Sequence, residues 1–186
     1  MLAEIPFLTM KELEAGLDEI RQSPRDGGKL ALIVRRPRID AREILAEGEL
    51  NPVEGLVGDN WRMRGSTRTP DGSPQPDKQL TIMNSRVISL LAPDETRWPL
   101  AGDQLFVDLD LSLENLPPGT RLALGTAVLE VTPLPHTGCK KFMARFGPEA
   151  LNFVNSPVGK QLRLRGINAR VIEPGIIRVG DTAQKL

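Results

Sequence analysis

Residues 121–131, RLALGTAVLEV, decide the fold of this 186-residue chain. Arg121 to Leu124 and Ala127 to Val131 read as two strands joined by Gly125-Thr126, a two-residue connection with the glycine that a tight antiparallel turn favours. Similar short runs lie on either side of this hairpin. Gly27-Gly28 precedes Lys29 to Val34, whose aliphatic and β-branched side chains suggest a buried strand. Gln79 to Met83 and Gln104 to Leu109 read likewise, and Gln161 to Val179 reads as three short strands broken at Gly166-Ile167 and Pro174-Gly175. The sum is seven or eight short strands with two to four helices, joined by short turns. The expected fold is therefore mainly β, a barrel with a few short helices.

The helices announce themselves by their ends. Thr9-Met10-Lys11-Glu12 fits a capping box, with Leu8 and Leu13 placed for a hydrophobic staple. Leu13, Leu17 and Ile20 then share a face over about three turns until Ser23-Pro24 stops the run. Asn84-Ser85 can cap a short helix through Leu91. Pro148 ends one helix and can open another through Asn155, because proline suits a first turn and not an interior. Residues 1–28 are expected to be a helical extension packed on a main domain of residues 29–186. Residues 35–54 are too mixed to assign. Asn60 to Lys78 carries Pro70, Pro74, Pro76, Gly65 and Gly72, which predicts a long irregular loop of the kind that is usually functional or mobile.

Composition narrows the class. Hydrophobic residues make up 40% and charged residues 26%, ordinary globular usage, so the chain should fold around one core. Aromatics are only 4%, which leaves that core to Leu, Val and Ile. One cysteine cannot form an internal disulfide, which favours a reducing compartment. The N-terminus lacks the basic and apolar regions of a signal peptide, and runs such as Leu30 to Val34 are too short to cross a bilayer. A cytoplasmic protein is expected. Zero net charge and few aromatics argue against nucleic acid as a partner. The charge is uneven, however. Residues 136–170 hold Lys140, Lys141, Arg145, Lys160, Arg163, Arg165 and Arg170 against Glu149 alone, a field that would draw in a small anion.

That basic region begins at HTGCKKFMARFG, residues 136–147, which holds the only histidine and the only cysteine. If Thr137 caps a helix, Cys139 lies in its first turn, where free N–H groups favour a thiolate. Lys140 and Lys141 add positive charge, while Phe142, Met143 and Phe146 give the helix an apolar face. Such a sulfur suits a metal ligand, or a sulfur atom that is repeatedly charged and discharged. The plain alternative is a small buried hydrophobe, as most free cysteines are. His136 has a plain reading too, a histidine held by local hydrogen bonds, and no Asp or Glu near it in sequence supports a Cys–His pair. A structural zinc site would need about four Cys or His ligands, more than the chain has.

These residues resemble the MOSC domain family, the C-terminal part of molybdenum cofactor sulfurases. The resemblance rests on GLVGD (55–59), DKQLTIMN (77–84), Glu114-Asn115-Leu116, GTAVLEVT (125–132) followed by His136-Thr137-Gly138-Cys139, then Lys141 and Arg145-Phe146-Gly147, and GINARVIEPGIIRVGD (166–181). It spans about Leu30 to Asp181 and implies a β-barrel like the small barrel domain of pyruvate kinase. Relatives bind molybdenum cofactor or handle sulfur for it. The resemblance implies that Cys139 is the catalytic residue, either ligating molybdenum during reduction of N-hydroxylated small molecules or carrying sulfane sulfur as a persulfide.

By the same resemblance His136, Thr137, Lys140, Lys141, Arg145, Asn115, Asp59, Arg62 and Arg64 become candidates for holding the molybdopterin, whose phosphate needs positive groups and N–H donors. Arg68 could join them from the long loop. Each has a plainer reading, solvated loop arginines for Arg62, Arg64 and Arg68 and turn residues for Asn115 and Asp59. Stand-alone reductases of the family often carry a histidine and paired glycines after the GD step, where this chain reads GDNWRMRGSTR. The pyridoxal-phosphate domain of full-length sulfurases has no room in 186 residues, so a cysteine desulfurase would be a separate partner. An electron-transfer protein is the corresponding partner of the reductase reading. The alternative from another class is a non-catalytic barrel that binds an anion through its basic C-terminal surface.

Overall fold

The computed structural model describes residues 6–186. Its strands are β1 (Gly28–Arg35), β2 (Glu43–Leu45), β3 (Glu47–Asn51), β4 (Gly55–Leu56), β5 (Leu80–Asn84), β6 (Leu105–Val107), β7 (Arg121–Leu124), β8 (Ala127–Pro135), β9 (Ile167–Glu173), β10 (Gly175–Arg178) and β11 (Thr182–Lys185). The α-helices are α1 (Met10–Ala15), α2 (Leu17–Arg21), α3 (Trp61–Arg64), α4 (Ser85–Leu91), α5 (Lys140–Phe146), α6 (Pro148–Asn155) and α7 (Pro157–Leu162). Neighbouring strands run β11-β7-β8-β9-β5-β6-β1, and β1 pairs again with β11, so seven strands close a barrel as expected. Among the described residues only β5 and β6 pair in parallel, Ile82 opposite Leu105, and the crossover between them carries α4.

The alternation of side chains explains why these strands read as continuous apolar runs. In β6, Leu105 and Val107 enter the barrel while Phe106 faces the helices; in β5, Leu80 and Ile82 point in and Met83 out. Both faces are covered, and each fully buried Leu, Ile or Phe contributes about 1.5–3 kcal/mol. The outer layer joins Phe106 and Met83 to Leu13, Ile20, Val87, Phe142, Phe146 and Phe153.

The Thr9 capping box forms, with Thr9 N donating to Glu12 Oε2 at 2.8 Å and Glu12 N to Thr9 Oγ1 at 3.4 Å. The expected three-turn helix is broken at Gly16 into α1 and α2, whose Leu13 and Ile20 still share one core. Residues 1–5 of the expected extension lie outside the described residues. The tail differs most. Residues 161–165, expected to be a strand, are the end of α7 and a turn, because Ser156 caps that helix through Gly159 N at 3.0 Å. The third tail strand is instead β11, whose TAQK is too polar to declare itself; only Ala183 enters the core. The helices number seven among the described residues against the two to four expected, and the loop 60–78 contains α3.

Candidate functional site

The site grows from a defect in the barrel wall. Val131 faces Ala169 across β8 and β9, and the next pair is Pro135 with Ile167, so residues 132–134 all stand against Asn168. Pro133 and Pro135 have no N–H for the ladder, which makes this bulge a consequence of sequence. Asn168 Nδ2 fills the gap by donating to the Leu134 carbonyl at 3.0 Å. The bulge swings the chain outward, and His136 follows at its end.

His136 lands 2.8 Å, Nε2 to Oδ1, from Asp103, 33 residues away in sequence. The other oxygen of Asp103 accepts from Arg165 Nη1 at 2.6 Å, and Arg165 Nη2 donates to the Ala101 carbonyl at 2.9 Å. Asp103 is wholly buried and Arg165 nearly so. Burial opposes a charge on Asp103, but Arg165 and then His136 outweigh it and hold the carboxyl below its usual range. Burial, then the Arg165 charge, push the imidazole below its usual range. At neutral pH the imidazole is thus neutral, and because a carboxylate only accepts, Nε2 carries the proton and Nδ1 the lone pair. Gly166 makes this packing feasible: at φ +112°, a Cβ there would sit 2.3 Å from the Ile82 carbonyl and 3.3 Å from His136 Cδ2.

Arg165 also stacks on the Phe142 ring, 4.9 Å from its centroid. The cysteine loop is therefore held at both ends by one buried network, His136 through Asp103 and Phe142 through Arg165. In its middle Asn155 grips Gly138, accepting from its N–H at 2.9 Å and donating to its carbonyl at 3.3 Å. Cys139 is the N-cap residue of α5, extended at φ −129° and ψ 176°, and is exposed. Thr137 does not cap the helix as expected. The plain reading of Cys139 as a buried hydrophobe is overturned by that exposure.

Two clefts meet at Cys139. One, about 280 Å³, is lined by Arg68, Lys78, Leu134, Pro135, His136 and Thr137. The other, about 300 Å³, includes Arg36, Arg42, Asn60, Arg64, Lys141, Phe142 and Arg145. A shallower cleft of about 650 Å³ over the 64–78 loop shares Arg64, Arg68 and Lys78 with them. Lys141 and Arg145 both approach Asp40 Oδ1 at 3.3 Å, and Arg36 is bound by Asp59. Arg42, Arg64, Arg68 and Lys78 pair with no carboxylate among the described residues. Burial, and then neighbouring cations, weaken the hold on the proton at three of them: Arg42 beside Arg145 and Arg36, Arg64 beside Arg36, Lys78 beside Arg68 and Arg64. Cations crowded in this way are relieved by an anion.

The expected site residues thus divide. His136, Thr137, Lys141, Arg145 and Arg64 line the clefts at Cys139, as does Arg68. Lys140 and Arg62 are exposed outside them. Asp59 is a buried support: it takes Arg36 Nε and Nη2 at 2.8 Å each and Trp61 N at 3.0 Å, joining the end of β1 to α3. Its neighbour Gly58, at φ +83°, holds backbone that L side chains rarely adopt, and a Cβ there would lie 2.9 Å from Arg35 Cδ. Asn115 is a correction. Its amide donates to the carbonyls of Arg25 and Asp110 and its oxygen accepts from Lys185, so it fastens the turn after β6 and lines neither cleft. Sequence reading missed Asp103, Arg165, Arg36, Arg42 and Lys78; they come from four separate segments, Arg36 and Arg42 sharing the β1–β2 connection, and only folding collects them.

The family model for the MOSC domain matches residues 75–184. The chain belongs to the MOSC domain family. Solved structures agree on the fold. The YuaD protein of Bacillus subtilis is 15% identical over 84% of this chain and 93% of its own, with a TM-score of 0.62. YiiM of Escherichia coli is 17% identical over 85% and 69%, at 0.54, and YiiM of Geobacillus stearothermophilus 16% identical over 86% and 73%, also at 0.54. No curated protein sequence matches the chain. In this MOSC domain the matched segment supplies Lys78, Asp103, His136, Cys139 and Arg165, while Arg36, Arg42, Arg64 and Arg68 come from before it. No helix among the described residues is long and apolar enough to cross a membrane.

Proposed function

We propose that this MOSC domain binds molybdenum cofactor, with Cys139 as the protein ligand to the metal, and reduces an N-hydroxylated small molecule. The observation that carries this reading is an exposed sulfur shared by two clefts that between them hold four cations, Arg42, Arg64, Arg68 and Lys78, without a carboxylate partner among the described residues. The residues present fit the group: a soft sulfur donor suits molybdenum, and Arg42, Arg64, Arg68 and Lys78 suit the pterin phosphate. When bound, the group supplies two-electron redox chemistry at its metal. The chain does the rest. Lys141 and Arg145 draw an anion inward, the Asp103 network fixes the loop that presents Cys139, and neutral His136 keeps a proton-accepting Nδ1 on the cleft wall. Conversion of an N-hydroxyl compound to its amine and water takes two electrons and two protons, the electrons coming from a separate electron-transfer protein.

The exposure of Cys139 also suits sulfur carriage. Its thiolate would attack the outer sulfur of a persulfide on a cysteine desulfurase, taking that sulfur and releasing the donor thiolate. One preparation separates the two. Protein from a cofactor-competent host should hold about one molybdenum per chain, lost in Cys139→Ser. A gain of one sulfur on Cys139 without metal would replace reduction with carriage, and neither result would leave an anion-binding barrel.

A further inference from the structure

A further cleft, about 450 Å³, shares Leu134 to Thr137 with the cleft at Cys139 but is not lined by Cys139. Its walls are mostly apolar, built from Pro133, Leu134 and Pro135 of β8, Val154 of α6 and Ile167 of β9. Two polar features interrupt them. Asn168 is 1% exposed, and its Oδ1 has no hydrogen-bond partner among the described residues. The Leu134 carbonyl fixes this orientation, since it can only accept and so must face Nδ2. Arg163 is a half-buried cation with no carboxylate partner, its proton affinity lowered by burial, and Lys160 stands near it on the rim. Arg163 also holds left-handed backbone, φ 50° and ψ 49°, where glycine would be less strained.

We propose that this cleft binds a small molecule with an apolar body and one acidic group for Arg163 and Lys160. The volume is that of an ordinary ligand pocket, and a half-buried guanidinium beside apolar walls favours an acidic partner. His136 and Thr137 line this cleft and the one at Cys139, so an occupant would touch the segment that leads into Cys139. The site needs no molybdenum.

The anilinonaphthalene sulfonate dye has this chemistry, with fused apolar rings and one sulfonate. Wild-type protein should bind one dye per chain saturably, with amide NMR shifts confined to Leu113, Thr132–Thr137 and Val154–Asn168. Combining Arg163→Gly with Lys160→Glu should weaken binding about tenfold or more, while phenylnaphthylamine, which lacks the sulfonate, should bind both proteins alike. The glycine suits the left-handed backbone, and unchanged phenylnaphthylamine binding checks that loss of the bond from Arg163 Nη1 to the Leu116 carbonyl, 2.6 Å, leaves the cleft intact. Cys139→Ser should bind the dye unchanged, which separates this site from the proposed function. Shifts centred on Arg42, Arg64 and Lys78, unchanged affinity in the double variant, or no saturable binding would each overturn the proposal.

Discussion

Arg165 donates to Asp103 at 2.6 Å across 62 residues of sequence, and neither side chain reaches solvent to any extent. A buried pair of this kind adds little net stability over an apolar replacement, but losing one partner strands the other charge. Asp103→Ala should therefore destabilise the protein by about 3–5 kcal/mol, read from the urea midpoint. The damage should reach the cysteine loop, whose two ends this carboxylate holds through His136 and Arg165.

The lone histidine should make stability depend on pH in a definite direction. Its folded-state proton affinity lies below the ordinary 6.5, first through burial and then through Arg165. Just below 6.5 the unfolded chain binds the proton and the folded chain does not, so stability is full above that value and falls as pH drops through the window. Asp103, held below its ordinary 3.8, contributes above that value and loses its contribution on further acidification. His136→Gln should abolish the first loss and leave the second, as urea midpoints on either side of 6.5 would show.

Cations that crowd without counter-ions should cost nothing when removed. Arg64→Ala with Lys78→Ala is expected to leave stability within about 0.5 kcal/mol of wild type or to raise it. Inorganic phosphate should raise the thermal midpoint of wild type, by mass action on an anion site, and raise that of the double variant much less. Equal shifts in both would place the anion elsewhere.

Much of the fold was legible because the barrel strands carry local signals. Leu30 to Val34, Gln79 to Met83 and the hairpin at Gly125-Thr126 each contain their own apolar run or turn. β11 escaped because its Thr182, Gln184 and Lys185 are polar and its place is set by pairing with β1 and β7. The site was half legible for a related reason. Cys139, His136, Lys141 and Arg145 sit in one short segment, whereas Asp103 and Arg165 have meaning only once they meet. Asn115 was misplaced because a turn asparagine and a pocket asparagine look alike in sequence, and its contacts with Arg25 and Lys185 are long-range.

The central claim is that the Cys139 sulfur lies open to solvent within a positive field. The most direct test compares the rates at which native protein reacts with an anionic disulfide reagent, dithiobis-nitrobenzoate, and a neutral one, dithiodipyridine, each relative to free cysteine. The anionic reagent should be favoured by about tenfold or more at low salt, with the preference collapsing as salt is added. A thiol that reacts only after unfolding, or that shows the selectivity of free cysteine at every salt concentration, would contradict the account.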